Sequence, residues 1–292
     1  MKKVLITGIN GQDGIILTKI LKKKNYLVYG FVKKNTKKNK VKYFSTSNKK
    51  FNIIKKEIDK IKPNIIIHLG SKNPSYNKKF LKKDYKINLH FTKKLIDYVT
   101  NNNHIKLIMI SSSIIFKKTK KKINENSRMF VTNYYSKFRV ESARYLLLKK
   151  KKFILNATVL ILFNHDSKYR NKRFLLPRII KAIKINNIKF LKNIYAQNIS
   201  GDFSHAEDIC YGIYLLIKKN QNPDKLILCS GKRTHINKII ILLFKKFNKN
   251  VKLIKKYNKN NVIGNNKLAK KIINWSPKKN IIKAAKEIYT NY

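Results

Sequence analysis

Carboxylates are scarce in this 292-residue sequence: 13 Asp and Glu stand against 69 Lys and Arg, a formal net charge of +56. Cysteine occurs only twice, as Cys210 and Cys229. Two cysteines in apolar segments, without metal or redox spacing, exclude a disulfide framework and a motif-type metal site. They read as small core residues in a reducing compartment. No apolar run reaches the length of about 20 residues that crosses a bilayer. The first residues lead straight into a strand pattern with no signal-peptide character. The expectation is a cytoplasmic protein with no membrane partner and no metal. Nothing reads as an internal repeat or a long linker.

Hydrophobic residues make up 43%, enough for a packed core, and the length suits one large domain or one with a smaller appendage. Taken alone, the charge points to nucleic acid or an anionic membrane. The lysines, however, run along the whole chain and travel with heavy Asn and Ile usage, the residues that A/T-rich codons supply. No specific nucleic-acid partner is expected, although the charge should attract an anionic substrate. The run Lys149-Lys150-Lys151-Lys152 reads as a solvated helix–strand loop.

Glycine is also sparse, with nine in the chain, yet three fall within seven residues: Gly8, Gly11 and Gly14. They follow the apolar run Val4-Leu5-Ile6-Thr7 and precede an apolar helix pattern. Strand, glycine turn and helix N-terminus together make a phosphate cradle, with backbone N–H groups and the helix dipole aimed at an anion.

Strand-like and helix-like stretches then alternate. Strands are expected at Val4–Thr7, Tyr26–Val32, Ile65–Leu69, Ile105–Ile110 and Phe153–Phe163. Helical patterns cover Ile15–Lys24, Ile54–Ile61, Tyr85–Val99 and about Tyr134 to Leu148. This alternation predicts an α/β fold, a Rossmann-like doubly wound parallel sheet over residues 1–163. Residues 164–292 read as a smaller, mixed lobe interleaved with it, with helices near Leu176–Ile183, Ile209–Lys218 and Ile236–Phe247. Ligands of such sheets bind beyond the carboxyl ends of the strands. The glycine turn, Ser111-Ser112-Ser113 and Asn164-His165 all fall at such ends. The second strand ends in Val32-Lys33-Lys34, where an acid would select NAD; the two lysines favour the 2′-phosphate of NADP, with NAD as the alternative.

The string Ile6-Thr7-Gly8-Ile9-Asn10-Gly11-Gln12-Asp13-Gly14 resembles the N-terminal signature of the GDP-mannose 4,6-dehydratases, NAD(P)-dependent epimerase/dehydratases of the extended short-chain dehydrogenase/reductase superfamily. Further matches follow in order. They are Lys62-Pro63-Asn64 with Ile67 to Ser71, Leu162-Phe163-Asn164-His165-Asp166-Ser167, Gly201 to Asp208, and Leu268-Ala269 through Trp275-Ser276-Pro277. The resemblance implies that Gly8, Ile9, Asn10, Gly11, Gln12, Asp13 and Gly14 hold a pyrophosphate. It places Leu69, Gly70, Ser71, Lys72, Asn73 and Tyr85 along the adenosine and nicotinamide pocket, completed by Lys137, His165 and Arg170. Asn164 would lie near the phosphates of a GDP-mannose-like nucleotide-diphosphate sugar bound by the second lobe. By analogy the chain would form a homo-oligomer.

The family's chemistry takes hydride from a sugar C4, removes the C5 proton, expels water from C6 and returns the hydride. Its base is the tyrosine of Y-x-x-x-K, whose four-residue spacing puts both side chains on one helix face. Here Asn133-Tyr134-Tyr135-Ser136-Lys137-Phe138-Arg139 covers that position. Aligning Ser136 to Glu141 with the family's S-K-x-x-x-E makes Lys137 the lysine, leaves Asn133 where tyrosine belongs, and makes Tyr134 the substitute. Tyr135 with Arg139 restores the four-residue spacing but loses the lysine. Ser112 matches the serine that holds the C4 oxygen, and Ile114 replaces the glutamate of the water-loss step. An alkyl group cannot move a proton. Gly201 replaces an arginine expected on the nucleotide phosphates. Three readings follow: an NAD(P)-dependent modifier of nucleotide sugars (dehydratase, 4-keto reductase or epimerase), a cofactor-binding homologue without turnover, and a polyanion-binding protein.

Overall fold

A computed structural model describes residues 1–32, 42–45, 51–75, 78–246 and 262–291. The N-terminal part alternates as expected: β1 (Lys3–Thr7), α1 (Gln12–Lys22), β2 (Leu27–Val32), β3 (Lys42–Ser45), α2 (Phe51–Ile61), β4 (Ile65–His68), α3 (Lys82–Thr100), β5 (Lys106–Ser112), α4 (Tyr134–Lys152) and β6 (Ala157–Leu162). The remainder contains β7 (Asn164–Asp166), α5 (Leu175–Lys184), α6 (Ile188–Ala196), β8 (Ser200–His205), α7 (Ala206–Lys218), β9 (Lys225–Leu228), β10 (Arg233–His235), α8 (Ile236–Lys246), α9 (Lys267–Ile273) and α10 (Ile281–Thr290).

Seven parallel strands form the main sheet in the order β3-β2-β1-β4-β5-β6-β9. Strands β4 and β6 are buried at every position, which explains their unbroken apolar runs: helices cover both faces, so no polar alternation is needed. Chain order reverses between β1 and β4, so a crevice opens beyond their carboxyl ends. A separate three-stranded sheet, β10-β8-β7, lies past the end of β6. It shares a core with α5, α6, α8 and α10, built on Ile179, Ile183, Leu191, Phe203, Ile240 and Ile288.

Three stretches beyond residue 163 belong to the large sheet and its core: α7, β9 and the segment from α9 to Trp275. Strand β9 extends the sheet beside β6, and α7 packs against α1. Trp275, the single tryptophan, is 2% exposed in that core; its indole N–H donates to the Asp208 carbonyl at 2.9 Å.

Two local expectations differ. Helix α4 continues through Lys149–Lys152, which is its last turn and not a loop. Cations suit a helix C-terminus, and Lys149 and Lys150 also pair with Asp97 (3.1 Å) and Asp224 (2.9 Å). The sixth strand is correspondingly shorter, starting at Ala157 and not Phe153. Gly14 lies inside α1, which starts at Gln12, earlier than its apolar face suggests.

Candidate functional site

The glycine turn is built by close approach. Gly8 has φ +72°, and a Cβ there would stand 2.8 Å from the Gly70 Cα. Gly70 crosses from the loop after β4, its amide donating to Thr7 Oγ1 at 2.9 Å. The same hydroxyl lies 2.7 Å from His68 Nδ1, and His68 Nε2 lies 3.0 Å from Thr92 Oγ1. Burial holds His68 neutral, its pKa lowered to about 3, with the charge of Arg139 adding to the effect. A neutral imidazole between two hydroxyls therefore fixes where the two backbones cross. Gly14 meets the turn from the helix: a Cβ would lie 2.3 Å from the Ile9 carbonyl oxygen. Gly11 caps α1 without a side-chain hydrogen bond, which leaves the first backbone amides of the helix for an anion.

Gln12 and Asp13 turn away from this cradle toward the second sheet. Asp13 accepts from His165 Nε2 at 3.0 Å, His165 Nδ1 lies 2.7 Å from the Phe163 carbonyl, and Gln12 links the His165 carbonyl (3.2 Å) with Ser167 Oγ (3.0 Å). Burial disfavours both charges, but the mutual charge and hydrogen bond outweigh it. Asp13 is held below its ordinary pKa and His165 above its own. Arg170 is ion-paired with Asp166 at 2.9 Å and stacks 3.7 Å from the Phe174 ring centroid. Asn164 is exposed at the start of β7.

On the other side of the crevice, the loop Leu69 to Asn73 is pinned by α3. The Lys72 amide donates to Asn88 Oδ1 at 3.1 Å, and the Lys72 ammonium pairs with Asp84. Ser112 ends β5, and its hydroxyl accepts the Ile114 amide at 3.4 Å in the short 3-10 turn Ser113–Ile115. Ile114 is 39% exposed there. Tyr85 donates to Glu141 at 2.7 Å, and its pKa is pushed up to about 12, first by burial and then by that carboxylate. Tyr134 and Lys137 gather around the Tyr85 ring, at 6.1 and 5.1 Å.

Tyr135 and Arg139 point elsewhere. Arg139 donates to the Ile110 carbonyl (2.7 Å), Ser71 Oγ (2.7 Å), Asn73 Oδ1 (3.2 Å) and the Tyr135 hydroxyl (3.1 Å). The structure thus brings together the turn Gly8 to Gly14, the loop Leu69 to Asn73, and Tyr135 with Arg139. Lys137, Tyr134 and Tyr85 form a neighbouring cluster. Lys33 and Lys34 lie outside the described residues. Tyr135 and Arg139, the pair with four-residue spacing, meet the loop Leu69 to Asn73, whereas the pair picked out by the S-K string does not.

The family model for GDP-mannose 4,6 dehydratase matches residues 5–288. This chain belongs to that family. GDP-mannose 4,6 dehydratase 1 of Arabidopsis thaliana is 24% identical over 95% of this chain and 86% of its own length. Among solved structures, dTDP-glucose 4,6-dehydratase from Bacillus anthracis in complex with NAD superposes with a TM-score of 0.83 at 15% identity, covering 100% of this chain and 96% of that one. UDP-glucuronic acid 4-epimerase from Bacillus cereus in complex with NAD gives 0.79 at 16% identity, covering 99% and 98%. The family's fold is therefore retained across the described residues. Among the described residues, no helix is long and apolar enough to cross a membrane.

Proposed function

We propose that this chain uses a nicotinamide dinucleotide to oxidise and reduce C4 of a nucleotide-diphosphate sugar, and does not expel water from C6. What carries this reading is an intact dinucleotide cradle beside a serine floor that has no carboxylate. The cradle fits the cofactor because only glycine can occupy the Gly8–Gly70 crossing and because the N-terminus of α1 carries no side-chain cap. The turn Gly8 to Gly14 would hold the pyrophosphate, and Leu69 to Asn73 would flank the nicotinamide half. Once bound, the nicotinamide accepts hydride and returns it. Lys33 and Lys34 favour NADP; both neighbouring structures hold NAD.

Elimination needs a group that takes the C5 proton and protonates the leaving hydroxyl. Each of the 13 carboxylates already has a hydrogen-bond or ion-pair partner, and none is bonded to Ser112, Ser113 or Ile114. Ser112 is left to hold the C4 oxygen, and the remaining chemistry is a C4 redox cycle, as in a keto reductase or an epimerase.

The test is incubation with GDP-mannose and a panel of other nucleotide sugars, including 4-keto forms, with NADP(H) and NAD(H), followed by product mass and chromatography. The expected product differs by two hydrogens, or has the same mass and a new retention time. A product lighter by one water overturns the absence of elimination. Tight dinucleotide binding without any product overturns the enzymatic reading.

A further inference from the structure

Asn133 sets the register of α4. Its side chain accepts the Ser136 amide at 2.9 Å, Ser136 Oγ accepts the Asn133 amide at 2.9 Å, and the helix begins at Tyr134. From that start, Tyr134 and Lys137 leave toward α3 and Glu141, each 42% exposed by residue and side chain respectively. Tyr135 and Arg139 leave toward the carboxyl ends of β4 and β5.

Arg139 is 6% exposed, and its Nε has no hydrogen-bond partner. The partners of its other nitrogens are a carbonyl, a serine, an asparagine and a phenol, all neutral. Among the described residues no carboxylate pairs with it. A buried cation is costly unless an opposite charge compensates it. The ionisable group in contact with it is the Tyr135 hydroxyl, which also donates to Asn73 Oδ1 at 2.9 Å. The Tyr135 oxygen is thus held between the uncompensated guanidinium and the Asn73 amide.

We propose that Tyr135 and Arg139 form the proton-transfer pair of the crevice, in place of Tyr134 and Lys137. The proposal rests on the C4 redox reading above. In the oxidising direction the C4–H and O–H bonds of the sugar break and a C4 carbonyl forms. The proton goes to the Tyr135 oxygen and the hydride to the oxidised nicotinamide dinucleotide; reduction reverses both. Arg139 holds the phenol oxygen and compensates its charge. The guanidinium does this as a fork, with Nη1 anchored on Ile110 and Nη2 on the reacting oxygen. A lysine, with a single nitrogen on a flexible stem, cannot span both.

The experiment compares Y135F, Y134F, R139K and K137M in the full chain. With a sugar that the wild type converts, Y135F should lose roughly 100-fold or more in rate, and R139K should lose more than 10-fold, while Y134F and K137M stay within about three-fold. Dinucleotide affinity of Y135F, read by fluorescence, should stay within about three-fold of wild type. Loss confined to Y134F or K137M overturns the proposal. A second readout needs no turnover. Tetranitromethane nitration of the wild-type protein is mapped by mass spectrometry with and without the dinucleotide. Shielding of Tyr135 with Tyr134 unaffected supports the pair, and shielding of Tyr134 with Tyr135 open overturns it. If no sugar is converted, the functional reading fails, and the nitration pattern still decides the pair.

Discussion

At the scale of single residues, the proposed absence of water loss rests on one alkyl side chain. Ile114 projects from the turn that follows Ser112 and is 39% exposed, so a carboxylate there is neither buried nor clashing. Ile114→Glu should change stability by no more than about 0.5 kcal/mol. It should also add to the wild-type product a species lighter by one water, seen by mass. Retained hydride transfer without water loss would mean that more than this carboxylate is missing. Asn133 shows how a residue can mislead a sequence reading. Matching Ser136-Lys137 to the family string puts Asn133 at the tyrosine position, where an amide has no acid–base use. In the folded chain Asn133 is a helix cap, the job for which its amide is suited. That cap is the ground for the proposed shift of the proton-transfer pair to Tyr135 and Arg139. Only the direction in which side chains leave the helix reveals it, and a string alignment does not contain that information.

At the scale of elements, the parallel sheet was legible because buried strands are nearly pure Ile, Leu and Val and the glycine turn marks where the first one ends. The short elements β7, β8 and β10 were not, since strands of three to six residues bearing Asp, His and Ser carry no periodic signal. Their place is fixed by tertiary bonds such as the Asp13–His165 pair, which ties α1 to β7. That pair makes a pH-dependent clamp. Asp13 titrates below 3.8 and His165 above 6.5 in the folded chain. The Asp13 contribution is present above its ordinary pKa and is lost as pH falls through the lowered value. The His165 contribution is complete below 6.5 and is lost as pH rises through the raised value. Replacing the imidazole in His165→Gln should therefore lower Tm most between about pH 4 and 6.5. The gap to wild type should narrow above that range; a gap that is constant or widens with pH would rule the clamp out.

At the scale of the whole molecule, a charge of +56 repels itself. The few carboxylates are placed to relieve it locally, on α3, α4, α7 and α10. Raising sodium chloride from about 0.01 to about 0.15 M shortens the screening length from about 30 to about 8 Å. Tm should rise across that range, and a flat or falling Tm would show that self-repulsion does not limit stability. The resemblance to the dehydratase family was readable end to end in the sequence, because glycine crossings and buried strands tolerate little change. The lysine-rich surface around them carries almost no such signal. The lone tryptophan has a use of its own. Trp275 sits where the chain's last segment seals the end of the main sheet, so its emission watches that seam and nothing else. A melt followed by tryptophan light and by backbone circular dichroism would show one transition if the tail and the sheet come apart together. An earlier optical step would mean that the tail peels away first, like a flap lifting from a closed envelope.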